Sequence, residues 1–216
     1  AHQGFDVVTP KEVKCCGAPH LAEGDRESAR RLALTNVDLF LSLDVDHIVT
    51  DCAGCGCALK EYEEILENRA SHDRLRLFRS KVRDISEFLV EAGIRADELR
   101  PLPMSVTYHE PCHLVHGQGL SKPPRQVIRS IPGVELREMK ESDWCCGMAG
   151  SYALKEIETS RKILERKLSN VRDTDADVLV TANPGCHLQL AWGVRELGMK
   201  QPVWHVVELL GKSLPP

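Results

Sequence analysis

The sequence predicts an α/β fold in which one unit occurs twice, each copy built on a parallel sheet. Three observations predict it. The stretch Lys14-Cys-Cys-Gly17 returns as Trp144-Cys-Cys-Gly147. Each is followed by a helical run, an apolar strand and a Cys-bearing turn: Thr50-Asp-Cys-Ala-Gly-Cys-Gly56 in one case, Thr181-Ala-Asn-Pro-Gly-Cys-His187 in the other. Finally, an offset of 131 residues lays Asp46-His-Ile-Val-Thr50 on Asp177-Val-Leu-Val-Thr181. The same offset lays Ala33, Val37 and Phe40 on Leu164, Leu168 and Val171, and Leu59 and Leu66 on Leu190 and Leu197. Core positions that match in register across several elements indicate a repeat of about 100 residues.

The elements follow in order. Phe5-Asp-Val-Val-Thr9 reads as the end of a short buried strand leading to Cys15 and Cys16. Asp25 is placed to cap a helix whose apolar face is Ala29, Ala33, Val37 and Phe40. Residues 46–50 form a strand with the Cys52-Ala-Gly-Cys55 turn at its carboxyl end, and a helix carrying Leu59, Tyr62, Ile65 and Leu66 follows. Glu67 to Lys81 is so charged that it reads as a solvated helix or connector, and apolar residues return from Val82 to Val90. Pro101 and Pro103 mark the expected boundary, giving a first unit over 1–100 and a second over 104–216.

In the second unit Met104–Tyr108 is a strand that delivers Glu110-Pro-Cys-His113. A short helix from Pro124 to Ile131 precedes a strand over Val134–Arg137, which leads to Cys145 and Cys146. A helix over 156–171, a strand over 177–181, a helix from Leu188 to Leu197 and a strand over 202–206 complete it. Strands alternating with helices argue a parallel sheet, with the Cys turns at the strand ends where such sheets bind ligands. The strand and Cys of 108–112 have no counterpart ahead of Ala1, so the first unit is expected to be truncated at its N-terminus.

Composition narrows the function. With 28 basic and 32 acidic residues and no long basic face, nucleic acid is not an expected partner. No apolar run approaches the roughly 18–20 residues of a spanning helix, and nothing reads as a secretion signal; a cytoplasmic location is expected. Neither a Walker sequence nor a dinucleotide fingerprint occurs, so no substrate-oxidising site and no catalytic residue is expected in this chain.

Eight of nine cysteines lie in the repeated frame; Cys57 alone lies outside it. The first unit offers Cys15, Cys16, Cys52 and Cys55, the second Cys112, Cys145, Cys146 and Cys186. Four thiolates suit an iron–sulfur cluster or a zinc ion, Cys52 and Cys55 alone suit thiol–disulfide exchange, and packing does not explain a repeated frame. Adjacent cysteines reach one site only through a turn, which Gly17 and Gly147 permit. His109, His113, His116 and His187 flank these cysteines and are expected to support the site rather than ligate. Trp144 is expected to be a hydrophobic shield.

Cys112, spaced from Cys145-Cys-Gly147 and a distant Gly185-Cys186, resembles the cysteine-rich CCG domain of heterodisulfide reductase and of hydroxy-acid dehydrogenases. Tyr108-His-Glu-Pro-Cys-His-Leu-Val-His-Gly117, Cys145-Cys-Gly-Met-Ala-Gly-Ser-Tyr152 and Thr181–His187 are more narrowly similar to iron–sulfur subunits of the glycolate oxidase family. The resemblance covers nearly the whole chain. It implies an electron-transfer subunit carrying 4Fe-4S-type clusters, cubane or non-cubane, on all eight framed cysteines, with zinc as the alternative. It further implies an FAD-containing dehydrogenase subunit as partner, a quinone or other carrier as acceptor, and peripheral membrane association through the complex. In that family the CCG region follows a ferredoxin-like segment absent from this sequence, so the chain would be a carboxyl-terminal portion. The pattern departs in one place: Asn183 stands where the first copy has Cys52.

Overall fold

The computed structural model describes residues 2–215 and falls into two compact units, one ending at Asp84 and one beginning at Ile85. The division precedes Pro101 because the helix over Ile85–Ala92 packs on helices of the second unit.

In the first unit α1 (Ala18–Ala22) follows Gly17, and α2 (Arg26–Ser42) starts at Asp25, whose carboxylate accepts the Ser28 N–H at 3.1 Å. Strand β1 (Ile48–Thr50) leads into α3 (Ala53–Lys60) and α4 (Tyr62–Leu66), a helix pair broken at Glu61 where one helix was expected. Next come α5 (His72–Lys81) and β2 (Val82–Asp84), which pairs parallel with β1 in the register Ile48↔Val82 and Thr50↔Asp84. Ala33, Val37, Ile48, Leu66 and Val82 form the core.

Two expectations fail here. Phe5–Thr9 is not a strand, and Val7 and Val8 are exposed, because among the described residues no sheet edge receives it. The 67–81 segment is not merely solvated. Leu75 and Phe78 on α5 are fully buried, and Phe78 stacks on Tyr62 with centroids 5.4 Å apart.

The second unit opens with α6 (Ile85–Ala92), then β3 (Met104–His109), α7 (Cys112–Val115), α8 (Lys122–Ser130) and β4 (Val134–Leu136). The short α9 (Tyr152–Lys155) and long α10 (Ile157–Arg172) precede β5 (Val178–Thr181), α11 (Pro184–Glu196), β6 (Val203–His205) and α12 (Val206–Ser213). All four strands are parallel, in the order β4-β3-β5-β6. The chain leaves β3 toward β4 and returns on the other side as β5, so the carboxyl ends of β3 and β5 flank the point where strand order reverses. Open parallel sheets take ligands there.

The repeat is visible in the pairing. Leu179↔Val203 and Thr181↔His205 reproduce Ile48↔Val82 and Thr50↔Asp84 at the predicted offset on the first strand. The fold is a duplicated α/β fold with parallel sheets.

Candidate metal centre

Three segments meet at the β3–β5 switch point. Strand β3 is buried from Ser105 onward and ends at His109, which sits opposite Thr181. After Thr181 the chain enters α11, with Asn183 as N-cap and Cys186 in the first turn. The loop after β4 supplies Cys145 and Cys146.

That loop is shaped by Gly147, which has φ +90° and lies so close to α10 that a Cβ would come within 2.5 Å of the Ser160 carbonyl oxygen. The Ser160 hydroxyl donates to the Gly147 carbonyl oxygen at 2.9 Å, and Gln189 Nε2 donates to that hydroxyl at 2.9 Å. The vicinal pair is thereby tied to both α10 and α11.

His109, Cys146 and Cys186 are buried, and their donor atoms lie within 4.8 Å of one another. Neither His109 ring nitrogen has a hydrogen bond of good geometry, although the ring lies against the Cys186 thiol. A buried imidazole lacking partners is costly unless something satisfies it. A metal ion does so, and one His with thiolates is an ordinary zinc donor set. The residues present fit such an ion.

The other two thiols extend the group. Cys145 contacts both Cys146 and Cys112, so the sulfurs run Cys112, Cys145, Cys146, Cys186 in a row. The hydrogen bond from Cys112, then that from Cys146, holds Cys145 down to about 2. Cys186 is held well below the ordinary thiol value by Cys146 against its burial, while Cys112 and Cys146, the donors, are pushed up. Gly147 N–H donates to Cys145 Sγ at 3.2 Å and Asn183 Nδ2 to Cys186 Sγ at 3.3 Å. A metal ion binding here must displace the remaining thiol protons.

In the first unit Cys16, Cys52 and Cys55 come together, and Cys15 adjoins Cys16 from an exposed position. Cys55 donates to both neighbours, lowering Cys16 to about 6 and Cys52 to about 7 and raising its own value. Cys52 is the N-cap of α3, its sulfur accepting the Cys55 N–H at 3.4 Å. Tyr62 donates to the Cys16 carbonyl oxygen at 3.0 Å, and Asn36 Nδ2 donates to those of Lys14 and Cys15, at 3.2 Å each. Cys57 belongs to neither group. Its thiol donates to Glu61 at 3.1 Å, and burial together with that carboxylate pushes it up to about 12.

The flanking histidines divide. His187 Nε2 meets the Val203 carbonyl oxygen at 2.8 Å, a supporting contact; His113 lies 3.7 Å from Cys112 Sγ, and His116 is exposed. His109 is the one set among the metal donors, a role its position at the end of a buried strand could have signalled. Trp144 is half exposed rather than a closed shield, with the Arg166 guanidinium 4.0 Å from its ring centroid.

A model of the cysteine-rich CCG domain matches residues 1–60 and 106–191. The chain belongs to the cysteine-rich CCG domain family. Among relatives, this CCG chain is 40% identical to the probable glycolate oxidase iron–sulfur subunit of Bacillus subtilis, over 96% of its own length and 48% of that protein. It is 37% identical to an iron–sulfur protein of Methanococcus maripaludis, over 98% of itself and 41% of the relative. It is 26% identical to lactate utilization protein A of Halalkalibacterium halodurans, over 96% of itself and 84% of the relative. The chain thus spans about half or less of the length of the first two. No helix among the described residues is long and apolar enough to cross a membrane.

Proposed function

We propose that this chain is a metal-binding, non-catalytic subunit of a redox complex that oxidises a 2-hydroxy acid such as glycolate or lactate. Its second unit holds one zinc-like ion on His109, Cys146 and Cys186, with Cys145 as the fourth donor. The observation that carries this reading is the buried trio within 4.8 Å, whose imidazole nitrogens make no hydrogen bond of good geometry. Three donors closing on one point suit a single tetrahedral ion better than a four-iron cluster. The ion would lock together the three segments that supply its donors and stiffen the module for docking. A second thiolate site is assigned to Cys15, Cys16, Cys52 and Cys55. Removal of hydride from the substrate belongs to an FAD-containing partner subunit.

A second reading has its own support. Cys112 continues the sulfur row past Cys145, which gives more donors than one tetrahedral ion uses, and the relatives include proteins named for iron and sulfur. On that reading the chain relays electrons from the flavoprotein to a quinone or other carrier. Anaerobic purification with metal and acid-labile sulfide analysis separates the two. Colourless protein with about one or two zinc ions per chain supports the first, and brown protein with iron, sulfide and an EPR signal on reduction supports the second. Protein that takes up neither metal overturns both.

A further inference from the structure

Arg125, on α8, is not one of the metal donors, yet every N–H of its guanidinium is used. Nη1 and Nη2 donate to the two Glu110 carboxylate oxygens at 2.9 and 3.2 Å. Nε and Nη2 donate to Glu138 at 2.9 and 3.1 Å, Nη1 to the Ser121 carbonyl and hydroxyl oxygens at 3.0 and 3.2 Å, and Nη2 to the Ser142 hydroxyl at 3.2 Å. The side chains of Arg125 and Glu110 are only 14% and 4% exposed, and the guanidinium lies 5.3 Å from the Tyr108 ring centroid. Ser142 closes the network, its hydroxyl donating to Glu110 at 3.4 Å and its carbonyl oxygen accepting the Glu110 N–H at 3.0 Å.

The partners sit at informative places. Glu110 lies between His109, a proposed donor, and Cys112, the outermost thiol of the group, so its position bears on both at the end of β3. Glu138 and Ser142 belong to the loop that arrives at Cys145 and Cys146. Arg125 therefore joins two of the three segments that supply metal donors. A buried ion pair is weak evidence for stability, since desolvation offsets most of its attraction, and its better-attested use is to fix one arrangement. The planar fork matters as well, because a lysine ammonium cannot engage two carboxylates edge-on.

We infer that Arg125 is the positioning residue of the metal centre: by clamping Glu110 to Glu138 and Ser142, it sets the distance of His109 and Cys112 from Cys145 and Cys146. The inference rests on the metal reading above. All three tryptophans lie in the second unit, and Trp144 adjoins Cys145, so cobalt(II) bound there quenches tryptophan fluorescence and zinc competes it away. The comparison uses the 216-residue chain with wild-type protein, R125K, and the charge-neutral pair E110Q/R125M, which leaves no buried carboxylate unpaired.

The expected result is that R125K weakens zinc binding by about 10–100-fold, the range for residues that orient ligands. Its cobalt(II) absorption bands should shift, since the donors close on the ion less regularly. E110Q/R125M should fold and bind as weakly as R125K, or more so. Wild-type zinc affinity and an unshifted cobalt spectrum in either folded variant overturn the inference, even where its metal-free melting temperature falls, because that is the mark of a purely structural ion pair. A wild-type chain that binds neither metal fails the metal reading itself, a separate outcome.

Discussion

Gly147 and Ser160 approach so closely that a side chain of any size at position 147 would meet the Ser160 carbonyl oxygen, 2.5 Å from the added Cβ. At Gly17 the nearest atoms, in Ala29, are 3.3 Å away, with a similar φ of +89°. G147A therefore combines backbone strain with a clash against a helix backbone, whereas G17A has mainly the strain. We expect G147A to cost about 2–4 kcal/mol and G17A about 1–2 kcal/mol. Urea unfolding checks both, by tryptophan fluorescence for the second unit and circular dichroism for the first.

His109 and His187 should behave differently when removed. H109A takes away a proposed ligand and should weaken zinc binding beyond the roughly 10–100-fold typical of supporting residues. H187Q disturbs only the contact with Val203 and should stay within that range. Competition with a chromophoric chelator measures both, and equal losses would contradict the assignment.

Phe78 tests the core of the first unit. It is fully buried against Tyr62 on a helix that looks polar in sequence. F78A should destabilise that unit by about 3–5 kcal/mol, as large-to-small core changes do. L77A, one residue away and half exposed, should cost far less.

Glu141 supplies a pH dependence. Its hydrogen bonds from Arg166, at 2.9 and 2.6 Å, and then from Asn170 lower its carboxyl to about 2, from an ordinary 4.5. A carboxyl with a depressed folded value contributes stability above its unfolded value and loses it as pH falls through the folded one. The melting temperature of wild type should thus exceed that of E141Q at neutral pH, and the gap should close between pH 4.5 and 2. A gap that persists unchanged at pH 2 would contradict the sign.

Much of this was legible in the sequence because it is periodic. The faces of α2 and α10 repeat at helical spacing, and the apolar runs at Ile48–Thr50 and Val178–Thr181 could hardly be anything but strands. What escaped depended on partners. Phe5–Thr9 has strand-like residues, but a strand exists only where another receives it. Leu75 and Phe78 are two apolar residues among charges, and only the packed helix reveals that they share a face. The cysteines announced the site by their repetition, whereas His109 has no counterpart within this sequence, and the Arg125 network joins residues between 4 and 32 positions apart.

Asn183 and Cys52 occupy the same N-cap place in the two copies, each one turn ahead of a cysteine. Cys52 brings a sulfur able to carry negative charge; Asn183 brings a neutral amide that donates to Cys186. The two equivalent sites are therefore unequal in charge. An ion or cluster seated in one would meet a different field in the other, so the tandem copies are not interchangeable.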